Sequence, residues 1–106
     1  MFFEYRQYQI QPGQREKWVR LMEEVIIPFQ ASKGMVIVGS FIDLQDENRY
    51  LWMRRFEDEA DRERLYKAVY ETDVWNNEIK PLIDPLLIRE SIKVTRLEPT
   101  PKSIIR

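Results

Sequence analysis

The chain has 106 residues, 17 Lys and Arg against 18 Asp and Glu, and neither histidine nor cysteine. That length supplies one domain, 1–106, and an apolar fraction of 43% beside 33% charged residues describes a folded globular unit, not a disordered one. The two missing residue types exclude Ser-His-Asp and Cys-His nucleophiles, ordinary zinc sites, haem held by imidazole or thiolate, and disulfides.

Residues 2–10, FFEYRQYQI, are rich in aromatics and run into Pro12-Gly13, which predicts a first strand closed by a turn. A helix follows. Trp18, Leu21, Met22, Val25, Ile26 and Phe29 recur at helical spacing, with Glu16, Lys17, Arg20, Glu23 and Glu24 between them on a solvated face. Pro28 weakens the last turn and Gly34 ends the segment.

Residues 35–44, MVIVGSFIDL, and 49–56, RYLWMRRF, read as two strands of a hairpin around the polar turn Asp46-Glu47-Asn48. Asp58 is placed to cap a helix carrying Leu65, Ala68 and Val69. Thr72 or Asp73 caps a second short helix with Val74, Trp75, Ile79, Leu82 and Ile83, limited by Pro81 and Pro85. Residues 88–97 alternate, with Ile88, Ile92 and Val94 expected on one side and Arg89, Ser91, Lys93 and Thr95 on the other. The prolines of the last segment suit a tail that wraps or frays.

The order is β-α-β-β-α-β, an α+β fold of ferredoxin-like topology with a four-stranded antiparallel sheet. The first and third strands are then central. The first hairpin strand is apolar on both faces, with Val36, Val38 and Ile42 expected on one and Met35, Ile37 and Phe41 on the other. Two helices cover one face of such a sheet. A second copy of the chain is the simplest cover for the other, so a homodimer or higher homo-oligomer through the sheet face is expected.

The balanced charge argues against a nucleic-acid partner, since the only basic run, Arg54-Arg55, is too short. The N-terminus turns polar at once, and no apolar run approaches the roughly 20 residues of a spanning helix. The expectation is a cytoplasmic protein with no membrane partner.

Charges occupy central strands where a core would prefer none. Glu4, Arg6 and Tyr8 alternate onto one face of the first strand, Trp52 and Arg54 share a face of the third, and Glu90 interrupts the apolar side of the last. Burying an unpaired charge costs several kcal/mol, so these groups must pair or line a polar cavity. In a cavity, Arg6, Tyr8, Trp52 and Arg54 would bind a carbonyl or carboxylate, while Glu4, Arg6 and Glu90 are the catalytic candidates. Burial can raise the pKa of a Glu into a useful range. Alternatively the cluster is an ion-pair network that fixes the register of a dimer. Trp18, Tyr66, Tyr70 and Trp75 can line a pocket between helices and sheet, although helical spacing by itself predicts only core packing. Asp58-Glu59-Ala60-Asp61 suits the first turn of a helix better than a metal, and no metal or other cofactor is expected.

Against this reading, FEYRQYQIQPGQ resembles the opening strand of NIPSNAP proteins, Glu-Leu-Arg-x-Tyr-x-x-x-Pro-Gly. Glu4, Arg6, Tyr8, Pro12 and Gly13 match it, and Tyr5 replaces the leucine. Residues 50–75 resemble the second half of that family through Trp52, Arg55, Phe56, Arg62 and Trp75, and ESIKVTRLEPT resembles its last strand. The resemblance implies a dimeric α+β barrel of two ferredoxin-like domains joined through their sheets. It implies little about activity. Fold relatives include cofactor-independent monooxygenases, muconolactone-type isomerases and haem proteins, the last dependent on a histidine this chain lacks. Three functions stay open: a small-molecule-binding protein, a cofactor-independent monooxygenase or isomerase, and a non-catalytic homo-oligomeric interaction module.

Overall fold

The computed structural model describes residues 1–106. Strands β1 (Phe2–Ile10), β2 (Val36–Ile42), β3 (Arg49–Phe56) and β4 (Leu87–Leu97) form one sheet in the order β2-β3-β1-β4, with every neighbouring pair antiparallel. The central position of the first and third strands is as expected. The helices lie on one face, and no helix is long and apolar enough to cross a membrane.

Each helical layer is interrupted in the same way. The first runs α1 (Arg15–Leu21), a π-helical segment Met22–Ile26, then α2 (Ile27–Ser32). The second begins with α3 (Glu59–Tyr70), turns, and continues as a π-helical segment Val74–Ile79 into α4 (Lys80–Ile83). In both, a proline stands two residues after the π segment, Pro28 in one and Pro81 in the other. Proline donates no N–H, and its ring crowds the carbonyl four residues back. A widened turn before it relieves that crowding: Ile27 N–H donates to the Met22 carbonyl and Lys80 N–H to the Trp75 carbonyl, five residues back. The continuous first helix read from the apolar period is therefore a composite.

The caps follow local chemistry. The Asp58 carboxylate accepts from Asp61 N–H at 2.8 Å, as its position before α3 predicts. The Thr72 hydroxyl accepts from Trp75 N–H at 3.2 Å and closes the second π segment.

Two bulges correct the expected faces. In β2 the register shifts between Ile37 and Gly39, leaving Val38 unpaired. An inserted residue reverses side-chain parity. Ile37 and Ile42, opposite Arg54 and Tyr50, thus share the helix-covered face, while Val36 and Phe41, opposite Arg55 and Leu51, lie on the other. Gly39 sits beneath the Phe41 ring, where a Cβ would come within 2.5 Å of ring carbons. In β4 the register shifts between the pairs Gln7–Lys93 and Gln9–Ile88, so Arg89–Ile92 bulge opposite Tyr8. Ile88 consequently joins Gln9 on the helix-free face, apart from Val94 opposite Arg6. Ser91 anchors the bulge by accepting from Gln9 N–H at 2.8 Å.

The larger core lies between sheet and helices around Tyr8, Ile10, Trp18, Met22, Tyr50, Trp52 and Ile83. A smaller one holds Met35 and Phe56 against Leu65 and Val69 of α3. On the other face the C-terminal tail wraps: Phe3 is buried, and Met53, Leu97, Pro99 and Ile105 share a shallow depression with it.

Candidate functional site

Cross-strand register gathers the polar residues of the two central strands. Glu4 pairs with Arg54, Arg6 with Trp52 and Tyr8 with Tyr50, all toward the helices. The sheet therefore brings Glu4, Arg6, Tyr8, Trp52 and Arg54 together. It does not bring Glu90, which is exposed in the β4 bulge and faces a separate surface depression. The expected position of Glu90 rested on an alternation that the bulge breaks.

The first part of the site is a closed knot around Glu4. Its carboxylate accepts from Arg54 Nη2 at 2.8 Å, Arg62 Nε at 2.6 Å and the Tyr66 hydroxyl at 2.6 and 2.9 Å. Arg54, fully buried, also donates to Gln30 Oε1 at 2.9 Å, the Tyr70 hydroxyl at 2.8 Å and the Tyr66 hydroxyl at 2.7 Å. Its guanidinium carbon stands 4.7 Å from the Trp52 ring centre. Burial alone would raise the Glu4 pKa, but hydrogen bonds from Tyr66 and Arg62 and the charge of Arg54 outweigh it and hold it at about 2. This reverses the upward shift expected from burial. The knot faces the helices, so it ties α2 and α3 to the sheet within one chain.

The second part is a cavity of about 310 Å³ beside the knot, between the sheet and both helical layers. Arg6, Tyr8 and Trp52 line it from the sheet. The two π segments contribute Met22, Ile26, Trp75 and Asn76. Trp18, Tyr66, Tyr70 and Trp75, the aromatics expected either in a pocket or in the core, all line this cavity, and Trp18 also belongs to the core. All three tryptophans of the chain are therefore in its wall.

The polar groups of the cavity are left incomplete. Arg6 Nη2 makes no hydrogen bond, while three donors enclosed in the protein around the cavity, the indole N–H groups of Trp18 and Trp52 and Arg54 Nε, also lack partners. The Tyr8 hydroxyl accepts from Arg6 Nε at 2.7 Å, and the Tyr70 hydroxyl accepts from Arg54 and Gln30, yet neither has an acceptor for its own proton. Arg6 reaches Glu4 only at 3.7 Å. The remaining charged lining residues, Lys80 and Arg89, are exposed at the mouth. No carboxylate lines the cavity.

Gln30, Arg62, Lys80 and Arg89 were not among the expected site residues. Two had a readable signal. Gln30 continues the stripe Trp18, Met22, Ile26 at four-residue steps, a polar residue in an apolar line. Arg62, Tyr66 and Tyr70 form a second such line on α3.

The NIPSNAP family profile matches residues 3–103. The chain belongs to the NIPSNAP family. Three solved structures carry the likeness further. A NIPSNAP-like domain protein from Burkholderia xenovorans is 24% identical over 96% of this chain and 87% of its own, with a TM-score of 0.85. A NIPSNAP family protein from Agrobacterium tumefaciens is 25% identical over 99% and 98%, with a TM-score of 0.86. More distant is an antibiotic biosynthesis monooxygenase, 17% identical over 95% and 100%, with a TM-score of 0.66. No curated protein matches the sequence significantly. The ferredoxin-like topology read from the sequence is thus the fold of this NIPSNAP chain.

Proposed function

We propose that this NIPSNAP protein binds a small organic molecule in the cavity between sheet and helices. The observation that carries the proposal is the set of donors on cavity-lining residues that have no acceptor, Arg6 Nη2 and the hydroxyl protons of Tyr8 and Tyr70. Buried donors are nearly always satisfied, and each orphan costs about 1–3 kcal/mol. A ligand acceptor removes that cost. The cavity also has the aromatic walls and few polar groups of a small-molecule site. Ligand-binding residues are Arg6, Tyr8, Trp18 and Trp52, while Arg54 positions Trp52 from behind.

Because every tryptophan is in the wall, intrinsic fluorescence is the test. Titration with 1-naphthoate and 1-naphthamide is expected to change the emission saturably, and Ile92→Phe, which fills the cavity, is expected to suppress the change. No response to either probe overturns the proposal.

A catalytic version, such as the cofactor-independent monooxygenase reading that the more distant fold likeness raises, is less well supported. General-base catalysis needs a proton acceptor poised near the working pH. Glu4 is held at about 2 with its oxygens occupied, and Glu90 stands outside the cavity.

We further propose a homodimer through the helix-free sheet face. Exposed Val36 and Phe41 on β2 support it, since an apolar patch of this kind is a common mark of an interface. Light scattering is expected to give a dimer for the native chain and a monomer for Phe41→Glu. A monomeric native chain removes this reading.

A further inference from the structure

We infer that the ligand of the cavity is an organic anion, a carboxylate on a flat apolar body, seated with its charged oxygens toward Arg6 and the hydroxyls of Tyr8 and Tyr70. The inference rests on the proposed binding function and adds the ligand's chemical class.

Three observations converge. The first is the surplus of donors. The hydroxyl protons of Tyr8 and Tyr70 lack an acceptor, and Arg6 Nη2 makes no hydrogen bond. A guanidinium group donates only. A neutral hydroxyl or water brings protons of its own and leaves such a lining partly unpaired. A carboxylate brings four lone-pair sites and no proton.

The second observation is charge. Glu4 serves three guanidiniums. Arg54 holds one of its oxygens and Arg62 the other, and Arg62 also reaches Glu59 at 3.4 Å. Arg6 is the one left without a carboxylate of its own, at 3.7 Å from an oxygen already taken. Its side chain is 17% exposed, so its charge is poorly solvated, and it lines the cavity. An anionic oxygen there supplies the missing counter-charge in a bidentate geometry that guanidinium favours.

The third is the shape of the remaining wall. Met22, Ile26, Ile83, Leu87 and Ile92 line the part not covered by the aromatics, so the anionic head leads into an apolar slot. Lys80, which makes no ion pair, extends the positive potential to the mouth, where Arg89 is paired with Asp84.

The experiment compares 1-naphthoate with its near-isosteric neutral amide, 1-naphthamide, by tryptophan fluorescence and calorimetry on the intact protein. Naphthoate is expected to bind at least tenfold more tightly at pH 7. Arg6→Met is expected to erase that preference, weakening naphthoate at least tenfold and the amide by much less. Tyr8→Phe, which removes one hydroxyl donor and keeps a ring, is expected to weaken naphthoate more than the amide, and covers the case in which the Arg6 variant folds poorly. Equal binding of both probes by the native protein, or a preference that survives both substitutions, overturns the anion assignment but leaves the binding function standing. Failure of both probes to bind overturns the two together.

Discussion

The helix-covered face of the sheet carries two polar regions side by side, and they are built on opposite terms. Around Glu4 and Arg54 nearly every polar group is paired: one carboxylate, the guanidiniums of Arg54 and Arg62, two tyrosines and Gln30 bond each other, and only Arg54 Nε lacks a partner. Around Arg6, Tyr8, Trp18 and Trp52 donors outnumber acceptors. Both regions are largely buried and both contain arginine, tyrosine and tryptophan neighbours. What separates a structural cluster from a binding site here is hydrogen-bond saturation. Residue type and burial do not separate them.

The hardest way to break the comparison is to open the knot. Glu4→Ala leaves Arg54 buried without its carboxylate. Breaking a buried ion pair by removing one partner costs about 3–5 kcal/mol. Urea unfolding is expected to show a loss of that size, a large share of the stability of a domain this small. A loss below about 1 kcal/mol means that the knot does not hold the helices to the sheet.

Acid titrates the same carboxylate. The folded pKa of Glu4, about 2, lies below its ordinary value of 4.5. A lowered folded pKa stabilises the native state above the unfolded value, and this contribution disappears as pH falls toward the folded one. The difference corresponds to about 3 kcal/mol lost between pH 4.5 and 2. Glu4→Gln is expected to flatten the stability profile across that window, even though it lowers stability at pH 7. A variant profile as steep as the native one assigns the acid sensitivity to other carboxylates.

Much of this was readable in the sequence, and what was hidden has a physical cause. Strand and helix order followed from apolar period and from Pro-Gly and Asp punctuation. The alternation of Glu4, Arg6 and Tyr8, and of Trp52 and Arg54, put those side chains on common faces because β1 and β3 run without a bulge. Glu90, Ile88, Phe41 and Ile42 were misplaced because β2 and β4 each contain one, and an inserted residue leaves no mark in a period-two pattern. The π turns escaped for a related reason. Pro28 and Pro81 announce disturbed helix, but a single proline does not say whether the turn before it widens or ends. Glu4 was expected to shift upward because strands alone reveal its burial. Arg62 and Tyr66, whose hydrogen bonds help reverse the shift, arrive from α3, distant in sequence.

A matched pair of tyrosines sharpens the contrast. Tyr66→Phe removes the hydroxyl that donates to Glu4 and accepts from Arg54, and hydrogen bonds to charged groups are worth about 1.5–3 kcal/mol each. Tyr8→Phe removes a hydroxyl whose proton has no acceptor and whose only bond is from partly exposed Arg6. The expected costs are about 2 kcal/mol for the first and under 1 kcal/mol for the second by thermal unfolding, with the order reversed for naphthoate binding. Equal costs to stability erase the distinction between the two regions.

The smallest expected effect lies at the mouth of the cavity. Lys80 is exposed there and makes no ion pair, whereas Arg89 is held by Asp84 at 2.5 Å. An unpaired cation at the entrance of a positive cavity attracts an anion during approach more than it holds it afterwards. Lys80→Gln is therefore expected to slow naphthoate association by roughly twofold to fivefold at low ionic strength, with little change in dissociation or in stability. Salt supplies the internal control. At about 1 M ionic strength the Debye length shrinks to about 3 Å, and the association rates of variant and native protein are expected to converge. A deficit that persists in high salt, or that appears in dissociation, makes Lys80 a direct contact of the bound anion, and the seat of its charged group then lies nearer the mouth than Arg6.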